Sequence, residues 1–443
     1  MAKPVQVTVS SPTNIAVIKY WGKRDAKTNT PINSSVSITI NQRDLRTVTT
    51  VTASKDFEKD RLWLNGTEES VAENKRVLAV FREVRALARD RVDPKTGEVV
   101  VKAEEWASMR VYVVSANNFP TAAGLASSAA GYAALTSALA ELHCVQESYP
   151  GQLSGIARQG SGSACRSLHG GFVAWDMGEK ADGSDSVARQ VAPAEHWPEL
   201  DVLILVVSDA KKTVSSTSGM DTSVKTSKLL AHRAASVVPE RMVRMEEAYL
   251  ARDFAAFAQL AMADSNQFHS TCLDTYPPIF YMNDVSRAVI QVVHAFNSAC
   301  GEVRAGYTFD AGPNAVLLTR KDHTAQLLAA VLAYFPPSAE AEADFVNDAS
   351  LRAKAAKAGP PEGLAALLAK MAPLKGMVKK VYHTDVGPGA HPLDDTQSLA
   401  TADGLPRDAG PAAAGGATWG KQLACALALG YPLARIGGAL MGK

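Results

Sequence analysis

The chain has 443 residues, 47% of them hydrophobic and 21% charged, and a formal net charge of +1. That length gives room for two or three domains with ample buried core, and the composition is that of an ordinary globular protein. A balance so near neutral provides no global field for nucleic acid or an anionic membrane, so any anionic ligand must be held by local basic residues.

Residues 5–10 alternate as a strand, and no apolar leader precedes them. The stretch Pro12-Thr13-Asn14-Ile15-Ala16-Val17-Ile18-Lys19-Tyr20-Trp21-Gly22-Lys23-Arg24-Asp25 follows. Its centre is β-branched and apolar, so Lys19 adjoins a buried run and must reach a rim or meet an anion. A strand ending in a charged turn is the plainer reading; two lysines flanking Tyr-Trp-Gly fit a small anion cradle. Residues 34–40, 46–53 and 60–64 read as further strands, with Asn65-Gly66 as a hairpin turn. Residues 71–89 read as a helix, on which Arg76 taken alone is a solvated residue.

A strand over residues 109–115 then enters Phe119-Pro120-Thr121-Ala122-Ala123-Gly124-Leu125-Ala126-Ser127-Ser128-Ala129-Ala130-Gly131, which opens an Ala-rich helix reaching about Leu142. A strand, a small-residue turn and a helix can cradle a phosphate, because backbone N–H groups converge at the helix start. Ser127 and Ser128 add hydroxyl donors or oxygen ligands for Mg2+. The same residues would also suit close helix–sheet packing, and no Walker ending is present. A short helix over residues 151–158 leads to Gly160-Ser161-Gly162-Ser163-Ala164-Cys165-Arg166-Ser167. Here an arginine fork sits beside small residues, suited to carboxylate or phosphate. Cys165 stands where a dinucleotide fingerprint needs its third glycine, and it reads better as a packed thiol than as a nucleophile.

Residues 170–175 form a strand and 179–186 a loop; the prolines at 193 and 198 mark a domain boundary. A buried strand at 201–207 leads into a loop rich in lysine and hydroxyls, containing Lys211, Lys212, Ser215, Ser216 and Thr217. That loop fits either a capped helix start or a phosphate contact. Helices follow over 222–268, broken near Pro239 and Asp253, and over 284–300. Strands at 302–308 and 316–319 flank Asp310, which by itself reads as a turn former, and a helix covers 325–334. Residues 336–361 are Ala/Pro-rich and partly irregular, 363–371 is a short helix and 376–383 a last strand. Beyond about residue 404 the Gly/Ala/Pro-rich tail is expected to be disordered or weakly docked. Its longest apolar run, 423–429, is far too short for stable membrane insertion. The five cysteines form no C-x-x-C pair, as reduced cytosolic thiols would, and the nine histidines lack metal-site spacing. Together, two small-residue loops, clustered cations and one turn aspartate fit phosphoryl transfer to a small anionic substrate.

The 12–25 segment resembles the N-terminal signature of diphosphomevalonate decarboxylases, and the 120–130, 161–166, 206–220 and 307–315 segments also match. The resemblance runs in order from about residue 5 to 407 and implies membership of the GHMP kinase superfamily. It implies an α+β fold with a ribosomal-S5-like domain over 1–195, a ferredoxin-like domain over 196–403, an extra tail at 404–443 and a deep cleft between the domains. Mg2+ with ATP as co-substrate, a cytoplasmic homodimer and no nucleic-acid partner are likewise implied. Carried over, the substrate diphosphate would lie against Tyr20, Trp21, Gly22 and Lys23, with Arg76, Ser161, Gly162, Ser163, Ala164, Cys165, Ser216 and Thr217 nearby. Arg166 would hold the substrate carboxylate, Asp310 would face the tertiary hydroxyl with Lys19 close by, and Gly124, Leu125, Ala126, Ser127, Ser128 and Lys212 would hold ATP. Sibling kinases commonly keep glycine where Ala126 stands and an acid in the segment that here carries Arg166, so a simple kinase is the weaker reading. A ligand-sensing regulator without turnover is the alternative from another class, and the presence of Lys19, Arg166 and Asp310 argues against it.

Overall fold

The computed structural model describes residues 4–119, 127–208 and 213–407. Three β-sheets organise them. The first has the spatial order His391–Pro392, Val5–Pro12, Arg46–Ser54, Arg110–Asn117, Arg61–Leu64 and Thr67–Glu69. Arg110–Asn117 runs parallel to Arg61–Leu64 and the other neighbours are antiparallel. The hairpin turn falls where expected, with Asn65 and Gly66 both at positive φ, 49° and 83°. The second sheet orders Ala188–Ala192, Phe172–Trp175, Ser35–Thr39 and Asn14–Ile18; the third orders Ala305–Phe309, Ala315–Arg320, Leu200–Val206 and Lys380–Asp385.

Helices Lys75–Arg85 and Ser127–Leu142 cover the first sheet. The former is shorter than the periodicity predicts because the Asn74 side chain accepts the Val77 N–H and starts the helix there. In the latter, Ala129, Ala130, Ala133, Ala134 and Ala138 are buried, letting the helix lie close to Val5–Pro12 and Arg46–Ser54. The packing use of this small-residue run is met along the helix, with Ser127 and Ser128 at its start.

Helices Val238–Ala251 and Phe254–Asp274 pack between the second and third sheets, so one core joins Ile15, Val17 and Phe172 to Val202, Ile204 and Leu318. Asp253 caps the second helix through the Ala256 N–H, as its position suggested. Pro239 opens a helix instead of breaking one, occupying its first turn after a wide π-helical turn at Arg233–Val237. The first helix of this region begins at Ser216, earlier than residue 222, because Ser215 caps it through the Ser218 N–H. The strand Ala188–Ala192 was not anticipated; its polar Arg189 and Gln190 are exposed and disguise an edge strand.

The other face of the third sheet carries Asp284–Cys300, Thr324–Tyr334 and Ala349–Ala358. The last lies inside the Ala/Pro-rich stretch, where Asp348 caps it through the Leu351 N–H. After Lys380–Asp385 the chain returns to the first sheet, pairing His391–Pro392 with Val5–Pro12. Among the described residues no helix is long and apolar enough to cross a membrane. Most of the expected tail lies outside the described residues.

His383, on the last strand of the third sheet, clamps two elements. Its Nε2 lies 2.9 Å from Asp201 Oδ2 on the neighbouring strand, and its Nδ1 lies 2.9 Å from Asp348 Oδ2 at the helix cap. Burial alone pulls the imidazole down, but hydrogen bonding and charge from Asp201, then Asp348, overcome it and raise the pKa above 6.5. A raised folded-state value means this clamp is fully present below the unfolded pKa and is lost as pH rises through the folded one. Replacing His383 with glutamine should therefore lower Tm at pH 6 and have a smaller effect at pH 9. An equal loss of Tm at both pH values in thermal melts would deny the clamp its charge.

Candidate active site

A cavity of about 390 Å³ opens between the second and third sheets. The strand Asn14–Ile18 is buried along its whole length and delivers Lys19 to the cavity wall, with only 3% of the side chain exposed. Opposite, Ala305–Phe309 ends one residue before Asp310, whose carbonyl accepts the Gly312 N–H at 2.7 Å in a tight turn. Lys19 Nζ donates to Asp310 Oδ1 at 2.6 Å, while the Asp310 side chain remains 32% exposed toward the cavity. Burial pulls the Lys19 ammonium below its usual range, and the charge and hydrogen bond of Asp310 oppose that pull. Asp310 thus both forms a turn and lines the cavity.

Arg166 is buried on the short helix Ala164–Ser167 and lines the same cavity. Its Nε donates to Asn14 Oδ1 at 3.1 Å, its Nη1 to Ser35 Oγ, and its guanidinium lies 5.7 Å from the Trp175 ring centroid. Among the described residues no carboxylate pairs with it in a salt bridge. A buried guanidinium held only by neutral acceptors is costly until an anion arrives.

Tyr20, Trp21 and Lys23, residues of the expected cradle, all line the cavity. The Tyr20 ring packs 4.7 Å from that of Trp175, burial raises its pKa, and its hydroxyl is buried with no protein partner. Trp21 is fixed by its indole N–H to Ser223 Oγ at 2.9 Å and by edge contacts with Phe268 and Tyr281. Lys23 is half-buried, and its pKa is lowered by burial and by the neighbouring Arg76 charge. Arg76 is not merely a solvated helix residue, since it reaches the cavity and donates to Thr217 Oγ1 at 3.2 Å. Ser161, Gly162, Ser163, Ser215, Ser216 and Thr217 complete this wall. Among the described residues, four cations, Lys19, Lys23, Arg76 and Arg166, line the cavity with one carboxylate, Asp310, a balance that suits an anion.

Three expected contacts prove indirect. Gly22 does not line the cavity; at φ 98° it turns the chain, and a Cβ there would meet the Ile32 and Val224 side chains at 2.7–2.8 Å. Ala164 is buried against Ala133 and Ala157, behind the wall. Cys165 is also buried behind it, donates to the Gly162 carbonyl, and burial pushes its thiol up to about 12, which removes it as a nucleophile. Gly162 itself does form the surface, where a Cβ would strike the Tyr20 ring at 2.9 Å.

Ser127 and Ser128 line the cavity at the start of their helix, and Ser128 Oγ lies 3.2 Å from Ser161 Oγ. Gly124, Leu125, Ala126, Lys211 and Lys212 lie outside the described residues. Among the described residues no group of three or more His, Cys, Asp or Glu could hold a metal. Hydroxyls without a carboxylate cluster beside them suit Mg2+ that is ligated mainly by a substrate's phosphates.

Sequence reasoning did not single out Asn14 or Asn29 as site residues. Asn14 orients Arg166, and its amide donates to Ser167 Oγ at 2.7 Å; a buried amide inside an apolar strand was the available signal. Asn29 lines the cavity at φ 55°, with its Oδ1 buried and unpartnered.

Two family models divide the chain, the diphosphomevalonate decarboxylase-like N-terminal domain over residues 11–188 and the mevalonate 5-diphosphate decarboxylase C-terminal domain over 202–393. The human diphosphomevalonate decarboxylase is 54% identical over 404 residues, covering 91% of this chain and 98% of that protein. The structure of the Trypanosoma brucei mevalonate diphosphate decarboxylase superposes with a TM-score of 0.80 at 40% identity, covering 90% of this chain and 100% of that one. A solved complex with MVAPP, AMPPCP and magnesium matches with a TM-score of 0.65 at 29% identity, covering 88% of this chain and 99% of that one. With such identity sustained across both halves and a cation-lined cavity between them, this chain belongs to the diphosphomevalonate decarboxylase family.

Proposed function

We infer that the chain catalyses ATP-dependent conversion of (R)-5-diphosphomevalonate to isopentenyl diphosphate, ADP, phosphate and CO2. The observation that carries this reading is the pairing, in one cavity, of a contact between buried Lys19 and cavity-facing Asp310 with a buried Arg166 that has no protein carboxylate partner among the described residues. A buried arginine without a protein carboxylate partner can hold the substrate carboxylate that leaves as CO2.

In this reading Asp310 accepts or orients the proton of the substrate's tertiary 3-hydroxyl, and Lys19 keeps that carboxylate in place. The hydroxyl oxygen takes the γ-phosphoryl group of ATP and releases ADP. The C3–O bond, now carrying the phosphoryl group, then breaks, phosphate leaves with the electron pair, and positive charge develops at C3. The bond between the carboxylate carbon and C2 supplies its electrons to a C2–C3 double bond as CO2 departs. Arg166 orients the carboxylate in line with the departing phosphate, and the Asp310 charge favours the developing cation. Lys23, Arg76, Tyr20, Ser161 and Thr217 hold the diphosphate, which does not react. Ser127 and Ser128 stand where they can meet Mg-ATP, and the bound metal's chemistry is to neutralise phosphate charge during transfer.

We further propose a division near residue 195, a homodimer and a cytosolic setting. The four described cysteines are all free, which suits a reducing compartment.

The test is ADP and CO2 release from purified protein with Mg-ATP and (R)-5-diphosphomevalonate. Equal release of both products is expected. ADP without CO2 would make the chain a kinase, and binding without either product would make it a sensor.

A further inference from the structure

Lys19 and Asp310 lie 291 residues apart in sequence, on different sheets, yet their charged atoms meet at 2.6 Å. Lys19 stands just past the end of its strand, so its peptide groups have no sheet partner and must be satisfied otherwise. Side chains do so. Asp264 Oδ2 accepts the Lys19 N–H at 2.7 Å, and the Lys19 carbonyl accepts Asn33 Nδ2 at 3.0 Å and Arg233 Nη2 at 3.1 Å. The next residue of the same helix, Ser265, accepts the Phe309 N–H at 3.0 Å, directly before Asp310.

We propose that Asp264 and Ser265 are positioning residues, two adjacent helical side chains that grip the main chains carrying Lys19 and Asp310 and set the distance between them. Neither lines the cavity. Both are fully buried, so neither hydrogen bond can be exchanged for water. Asp264 is itself immobilised: Arg233 grips it through two bonds of 2.7 Å and Arg241 through one of 2.9 Å. The wide turn at Arg233–Val237 begins at that arginine, a departure from α-helical geometry of the kind often found at functional sites. The helix thus acts as a spacer between two catalytic segments, and an error of about 1 Å in such a spacing is enough for a rate loss of about 100-fold.

The inference rests on the catalytic reading above, and its test carries a readout independent of turnover. Ser265→Ala strands a buried Phe309 N–H and frees the turn bearing Asp310. It should lower kcat by ~10-fold or more with little change in KM for either substrate. The Lys19 titration is followed in parallel by 13Cε NMR, its signal assigned by loss in Lys19→Arg. The groups acting on it are Asp310, Asp264 and Arg166, with neutral His269 adjacent. Loosening the pair weakens the attraction that opposes burial, so Lys19 should titrate at lower pH than in the wild type. Asn266→Ala serves as the control, since it removes a 3.1 Å bond from the Tyr307 hydroxyl to the same helix while leaving both main-chain grips, on Lys19 and on Phe309, in place. The control should retain kcat and the Lys19 titration whatever it does to Tm. An unmoved Lys19 titration in Ser265→Ala, or a shift equal to the control's, overturns the proposal. If the wild type shows no turnover, the catalytic reading falls and the Lys19 titration alone decides the spacing.

Discussion

Asp310→Asn should reduce kcat by ~10²–10⁴-fold, the range expected for loss of a positioned acid–base group, while KM for diphosphomevalonate stays near the wild-type value. The substitution keeps the shape of the side chain and its place in the turn closed by the Gly312 N–H. It removes the charge that anchors Lys19 and with it the acceptor aimed at the cavity. Substrate affinity should survive because the other cations, Lys23, Arg76 and Arg166, are untouched. Steady-state kinetics with both substrates check this, and near-wild-type kcat would take Asp310 out of its assigned role.

Arg166→Gln should damage binding and turnover together. A hydrogen bond to a charged partner contributes about 1.5–3 kcal/mol, so KM should rise and kcat/KM fall by ~10–100-fold or more. The accompanying effect on stability should have the opposite sign. In the free protein the Arg166 guanidinium is buried against Asn14, Ser35 and Trp175 with no carboxylate in salt-bridge contact among the described residues, and neutral glutamine escapes that desolvation cost. Tm should therefore hold or rise while activity falls, the trade expected where a site is organised for an absent partner. A variant with unchanged kcat and KM would exclude the carboxylate-binding role. A variant that loses Tm and activity in proportion would make Arg166 a structural residue.

Lys19 and Arg166 were legible because each broke a local pattern, an ammonium beside an apolar β-branched run and a fork among small residues. Asp310 was less so; its surroundings suit a turn, and only the family resemblance assigned it chemistry. The secondary elements followed from periodicity and capping, with errors where one side chain decided a helix start, as Asn74 and Ser215 do. Asp264, Ser265 and Arg233 were not legible at all. They lie in a run whose helical apolar pattern reads straight through them, and their partners are backbone groups more than 40 residues away. Hydrogen bonds to distant main chain leave no spacing to detect.

The return of the chain to the first sheet has a consequence for how the molecule can be cut. His391–Pro392 flanks Val5–Pro12, the Leu393 N–H donates to the Thr8 carbonyl, and the Leu399 N–H donates to Thr50 Oγ1. A segment nearly 400 residues on thus guards the outer edge of Val5–Pro12. A fragment ending near residue 195 would leave that edge open to pairing with other chains. Residues 391–399 must be made before the edge of Val5–Pro12 is covered, so until then the nascent protein carries its own aggregation hazard.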